Sequence, residues 1–131
     1  MKTIIAGTRT FTNYEIVCKA MSEFGEDVTE VVSGCARGAD KLGEMWAQMR
    51  KIPIKRFPAE WNLYGKSAGM IRNRQMASYG EALVAIWDGH SDGTCNMIYE
   101  ARERGLIVHV HYIQDEPKKE NNILDSLFIK D

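Results

Sequence analysis

Short apolar runs that close on a glycine or a small polar loop recur along this chain, and a stretch with three- and four-residue apolar spacing follows each of the first four. Thr3–Ala6 closes at Gly7, and a run of this kind reads as a strand buried on both faces. Between Asn13 and Phe24, the residues Ile16, Val17, Ala20, Met21 and Phe24 keep helical spacing, with Asn13 placed to cap the start and Gly25 to stop the end. Val28–Ser33 and Gly34 repeat the strand and its loop. The helix after them carries Ala39, Leu42, Met45, Trp46 and Met49 as its expected apolar stripe.

A third strand is expected over Ile52–Phe57, with Pro53 near its beginning where a missing N–H is tolerated. Pro58 to about Ala68 then forms a loop longer than the roughly 2–6 residues usual for a βα connection. A helix near Gly69–Tyr79, the strand Ala82–Trp87, the turn Asp88–Gly93, a helix to Arg104, a stop at Gly105 and the strand Leu106–His111 complete the pattern. Five strands alternating with four helices predict an α/β fold. Parallel neighbours need right-handed crossovers, and helices supply them, so the expected architecture is Rossmann-like: a doubly wound, mostly parallel five-stranded sheet with helices on both faces. Residues 1–113 form this one domain, and residues 114–131 a polar extension in which Ile123–Ile129 offers a short amphipathic helix.

The 131 residues carry 17 basic and 18 acidic side chains, so no sequence-wide field favours a nucleic-acid backbone or an anionic membrane. Cys18, Cys35 and Cys95 are odd in number, far apart and without a C-x-x-C pair. Neither a disulfide framework nor a structural zinc site is indicated, and a reducing, cytoplasmic setting is expected. The apolar run after Lys2 is too short for a signal segment or a membrane span.

Ligands of open α/β sheets bind beyond the carboxyl ends of the strands, near the point where strand order reverses. Three segments are expected there. Gly7, Thr8 and Arg9 allow close backbone approach and supply a cation; Gly34, Cys35, Ala36, Arg37, Gly38 and Asp40 run from a small-residue loop into a helix start; Asp88, Ser91, Gly93 and Thr94 repeat that design. Backbone N–H groups at such a helix start favour a phosphate. The spacing fits neither the G-x-G-x-x-G dinucleotide fingerprint nor the Walker A pattern, which disfavours nicotinamide redox chemistry and ATP hydrolysis. No cofactor is expected.

The segments Ala6–Arg9 with Phe11, Val31–Asp40, Phe57–Trp61, Tyr64–Lys66, Ala68–Gly69, Ile71–Met76 and Ile86–Gly89 with Ser91 and Gly93–Thr94 together resemble the YspA-like branch of the SLOG superfamily. That resemblance covers nearly everything from residue 4 to residue 112. It implies a Rossmann-like nucleotide pocket and leaves three functional classes: binders of nucleotide or ADP-ribose-like signals, phosphoribohydrolases of the LOG group, and the DNA-processing protein DprA. LOG-type hydrolases follow their last Gly-Thr pair closely with glutamates. Here the first carboxylate after Gly93–Thr94 is Glu100, almost two helical turns on, which argues against that chemistry.

Among single residues, Arg37 and Arg72 suit phosphate oxygens because a guanidinium forks onto them. Asn73 suits a ribose or a base edge, and Trp61 or Tyr64 in the long loop offers a ring to stack on a base. Glu60 and Asp88 are the carboxylates placed to act as a general base if a bond is cleaved. His109 and His111 alternate on the last strand with no evident third ligand, so no metal site is expected. The leading expectation is a protein that senses, carries or sequesters a nucleotide-type, ADP-ribose-like or cyclic nucleotide ligand. A LOG-like hydrolase is the alternative and DprA-like binding of single-stranded DNA the third reading, which would draw on Arg9, Arg37, Arg72 and Arg74. An apolar helix stripe left partly exposed would suit a homodimer.

Overall fold

The computed structural model describes residues 1–114, so the amphipathic stretch expected at Ile123–Ile129 lies outside the described residues. Five strands, β1 (Lys2–Gly7), β2 (Glu30–Ser33), β3 (Ile54–Arg56), β4 (Ala82–Trp87) and β5 (Ile107–Tyr112), form one sheet in the order β3-β2-β1-β4-β5. Every pairing is parallel. The chain builds outward from β1 through β2 to β3, then crosses to the far side of β1 for β4 and β5. The reversal therefore falls between β1 and β4.

Helices α1 (Tyr14–Phe24) and α2 (Ala39–Met49) cover one face, and α4 (Ala68–Tyr79) and α5 (Asp92–Glu103) the other. The alternation of β1 shows why both faces are needed: Ile5 packs with Val17, Ala20 and Trp46 on the first face, Ile4 and Ala6 with Met76, Met97 and Ala101 on the second. Asn13 caps α1 by accepting the Glu15 N–H at 3.0 Å, and Gly25 ends it in the left-handed conformation.

Beyond β3, which spans Ile54–Arg56 and not Ile52–Phe57 so that Pro53 precedes it, two details depart from the sequence pattern. The loop over residues 58–68 is not structureless: it holds the short helix α3 (Trp61–Tyr64) and a tight turn over Gly65–Ser67. On α2 the buried face matches the expected stripe only in part: Ala39 and Trp46 are buried and Leu42 packs against the core, whereas Met45 and Met49 are exposed and Asp40, Gly43, Glu44 and Ala47 are buried in addition. Two carboxylates thus lie against the sheet, and their partners explain why. Among the described residues, no helix is long and apolar enough to cross a membrane.

Candidate functional site

At the β1/β4 reversal, the three loops expected from the sequence meet around a cleft of about 670 Å³. The approach of β1 to β4 is close enough that a Cβ on Gly7 would collide with the Ile86 carbonyl and lie 2.9 Å from the Ala39 Cβ at the start of α2. Thr8 then stitches the loops together. Its N–H donates to the Ile86 carbonyl at 3.0 Å, its carbonyl accepts from Ala39 N at 3.2 Å, and its hydroxyl accepts from Asp88 N at 3.2 Å and lies 3.3 Å from the Ser91 hydroxyl.

The second loop is shaped from behind by a polar relay. Glu44 on α2 accepts the Ser33 hydroxyl at 2.6 Å through one oxygen, and Arg56 of β3 at 3.1 and 3.2 Å through the other. The Ser33 hydroxyl in turn accepts the Cys35 N–H at 3.1 Å, and Cys35 sits in the left-handed backbone region with φ 65°. A non-glycine residue rarely holds that conformation unless its surroundings impose it. The Ser33 hydroxyl, itself held by Glu44, bonds the Cys35 N–H in that conformation.

Buried charge converges on Gly34. Arg72 of α4 donates Nη1 to the Gly34 carbonyl and Nε to Asn73 Oδ1 at 3.0 Å, while Asp40 accepts the Ala36 N–H at 3.1 Å. A Cβ on Gly34 would stand 2.7 Å from Arg72 Nη1 and 2.9 Å from Asp40 Oδ2. Burial pushes the Asp40 carboxyl up to about 6, against the opposing pull of the Ala36 N–H and the nearby Arg72. Burial likewise lowers the Arg72 guanidinium, and the neighbouring Asp40 partly restores it. No hydrogen bond to the described residues occupies Arg72 Nη2, and no buried polar side-chain atom among them lacks a partner. That nitrogen is therefore open to solvent, on a side chain that lines the cleft.

In the third loop Asp88 accepts the His90 and Ser91 N–H groups at 2.8 Å each and the Ser91 hydroxyl at 3.0 Å. Burial would raise its proton affinity, but these hydrogen bonds outweigh it and hold the carboxyl below its usual range. Asn73 spends both amide hydrogens within the protein, on the Gly93 carbonyl at 3.2 Å and Asn96 Oδ1 at 2.9 Å. Thr94 is buried along the cleft and its hydroxyl bonds to no described residue, so by the same reasoning it faces the cleft. Neither α2 nor α5 has a side-chain cap at its N-terminus; the first N–H of α2, that of Ala39, is taken by the Thr8 carbonyl, and the other first-turn N–H groups of the two helices have no side-chain acceptor.

Of the residues singled out from sequence, Gly7, Thr8, Arg9, Ala36, Asp40, Trp61, Arg72, Asn73, Asp88, Ser91, Gly93 and Thr94 border the cleft. Gly34, Cys35 and Arg37 border an adjoining hollow of about 310 Å³ that shares Arg9, Ala36, Trp61 and Arg72 with it. Gly38 lines neither, and a Cβ there would collide with the Thr8 and Arg9 carbonyls. Tyr64 and Glu60 are exposed and border neither hollow. Sequence reasoning missed Lys66, Met70, Asp92 and Asn96 on the cleft wall, and Ser33, Glu44 and Arg56 behind it. Glu100 is engaged by Arg104 and, at 3.8 Å, by Arg74, and it does not border the cleft. The fold also supplies what His109 and His111 lacked on paper: Glu23 of α1 lies against both rings.

Comparison with known proteins agrees with this architecture. The profile of the "YspA, cpYpsA-related SLOG family" matches residues 1–64. The Gene 61 protein of Mycobacterium phage D29 is 32% identical over 119 residues, covering 82% of this chain and 93% of the phage protein. Among solved structures, DNA processing protein A (DprA) from Streptococcus pneumoniae superposes with a TM-score of 0.69 at 18% identity, over 98% of this chain and 57% of the DprA chain. The present chain thus spans little more than half of DprA, and the likeness is one of fold. The chain belongs to the YspA, cpYpsA-related SLOG family.

Proposed function

We propose that the β1/β4 cleft binds a nucleotide-type phosphorylated small molecule. The observation that carries this reading is the pairing of two uncapped helix N-termini with Arg9, Lys66 and Arg72 around one crevice at the strand-order reversal. Orphan N–H groups and cations favour an anion. The lining also includes Asp40, Asp88 and Asp92, which balance the three cations formally. A bare polyanion gains little from such a wall. A phosphate joined to a hydroxyl-bearing sugar gains more, because carboxylates accept sugar hydroxyls while the cations take the phosphate. Asp92 and the Thr94 hydroxyl have no hydrogen bond to the described residues and suit the sugar. Trp61 and Met70, each 49% exposed beside the crevice, suit the face of a base.

Thermal unfolding against nucleoside monophosphates, diphosphates, ADP-ribose and cyclic nucleotides tests this, with mass spectrometry of each sample afterwards. A hundredfold excess over the dissociation constant raises stability by about 2.7 kcal/mol. Arg9→Ala and Lys66→Ala, both at exposed positions, should abolish the shift without lowering the melting temperature of the free protein. No shift from any of these ligands rejects the reading.

One observation favours hydrolysis as a second reading. Asp40 is a cleft carboxyl with its proton affinity raised to about 6, a value suited to proton transfer near neutral pH. It fits general acid or base work better than Asp88, whose carboxylate is occupied by its own loop, or Glu60, which lies outside the cleft. Recovery of the stabilising ligand in cleaved form would establish turnover, and its loss in Asp40→Asn would assign it.

A further inference from the structure

Away from the cleft, Glu23 of α1 reaches across to β5. Its Oε1 lies 3.0 Å from His109 Nε2 and 2.8 Å from His111 Nδ1. Among the described residues this is the one group of three His, Cys, Asp or Glu side chains whose ligand atoms all fall within 4.8 Å of one another. None of the three borders the cleft.

The fold produces the arrangement in two steps. The period-two alternation of β5 puts His109 and His111 on the face that α1 covers, while Val108 and Val110 pack on the opposite face. Glu23 then stands one residue before Phe24, which anchors the end of α1 in the core. Both imidazoles and the carboxylate keep access to solvent, with side-chain exposures of 31%, 14% and 37%.

We infer that Glu23, His109 and His111 form a binding site for a divalent transition metal of the zinc class. Two imidazole nitrogens and a carboxylate oxygen are a borderline donor set that suits Zn²⁺, Co²⁺ or Ni²⁺ and serves Mg²⁺ or Ca²⁺ poorly, since those ions take oxygen ligands. With bonds of about 2.0–2.2 Å, tetrahedral ligands stand about 3.4 Å apart. The carboxylate oxygen therefore needs to separate from each imidazole nitrogen by about half an ångström, and the two imidazole nitrogens, which lie within 4.8 Å of each other, need to settle at a similar spacing. Three protein ligands leave a fourth position for water, which the partial exposure of the site allows. The ion would fasten β5, which among the described residues has a sheet neighbour on one side only, to α1.

The test uses the full chain, stripped with chelator and freed of any affinity tag. Titration calorimetry with ZnCl₂ should give one equivalent bound, and thermal unfolding should shift upward with Zn²⁺ but not with Mg²⁺. His109→Ala/His111→Ala and, separately, Glu23→Gln should each weaken the affinity at least tenfold. Because Cys18, Cys35 and Cys95 are free thiols, the CoCl₂ complex is read by absorbance. A spectrum without a thiolate-to-cobalt charge-transfer band supports the assignment. Absence of zinc binding, binding that survives the double histidine variant, or a thiolate band overturns it.

Discussion

At the scale of single residues, the site is governed by how tightly the two crossing strands and their loops approach. Gly7 leaves no room for a side chain, since the Ile86 carbonyl and the Ala39 Cβ fill the space, and both are held by core packing. Gly7→Ala should therefore cost at least about 3 kcal/mol in denaturant unfolding, the upper end of ordinary overpacking. Asp40 makes a prediction with a definite sign. Its carboxyl rises from the ordinary 3.8 to about 6 on folding, so the folded chain holds this proton more tightly than the unfolded one. Charging the group as pH rises from about 4 to above 6 must then weaken the fold, by about 3 kcal/mol if the whole difference is realised. In Asp40→Asn that loss disappears: the variant and the parent should be nearly equal at pH 4, and the variant more stable at pH 7. A stability difference that stays flat between those values would show that Asp40 is not buried as a charge. The sequence placed Asp40 at a helix start, where a carboxylate is ordinarily exposed and favourable. It could not show that the same position faces Arg72 and the Gly34 loop.

At the scale of elements, what the chain announced and what it concealed follow from range. Strands β1 and β4 and helix α1 were legible because their signals are local: a glycine-closed apolar run, an Asn cap, a glycine stop. The buried face of α2 was legible only in part, at Ala39, Leu42 and Trp46. Hydrophobic spacing selected Met45 and Met49, whereas the helix turns Asp40 and Glu44 inward because partners from other elements satisfy them. A buried carboxylate reads as a surface residue until its donors are known, and Ser33 and Arg56 lie 11 and 12 residues away on different strands. The relay predicts a linked loss. Glu44→Ala strands the buried Ser33 hydroxyl and removes the partner of the half-exposed Arg56 guanidinium, and losing a hydrogen bond to a charged group costs about 1.5–3 kcal/mol. It should also release Cys35 from its left-handed conformation, so amide exchange over residues 34–38 should accelerate more than exchange in β4. Equal acceleration in both would mean that Glu44 supports the fold as a whole and not that loop.

At the scale of the whole molecule, the sheet order decides which charges can act together. The sequence offered Arg9, Arg37, Arg72 and Arg74 as one basic patch for a nucleic-acid strand, and the fold divides them. Arg9 and Arg72 border both hollows at the strand-order reversal and Arg37 the smaller one, whereas Arg74 turns to a groove beside Lys55 and Tyr79 and pairs with Glu100. Arg72 is further committed to Gly34 and Asn73. Two exposed arginines therefore remain on the cleft side of the patch, together with Lys66. The consequence can be measured, because a small anion and a polynucleotide respond to salt in different ways. A single strand that neutralises several phosphates loses affinity with a log–log slope of about 0.7 per phosphate, whereas a ligand with one or two phosphates, held largely by N–H groups and sugar contacts, has a slope near one. The expected result is a slope of about one for the best nucleotide ligand between 50 and 300 mM salt, with an oligothymidine no tighter than its own mononucleotide. An oligonucleotide that binds far more tightly, with a slope of three or more that falls in Arg74→Ala, would instead mean that cleft and groove act as one track along a strand. The small-molecule reading would then give way.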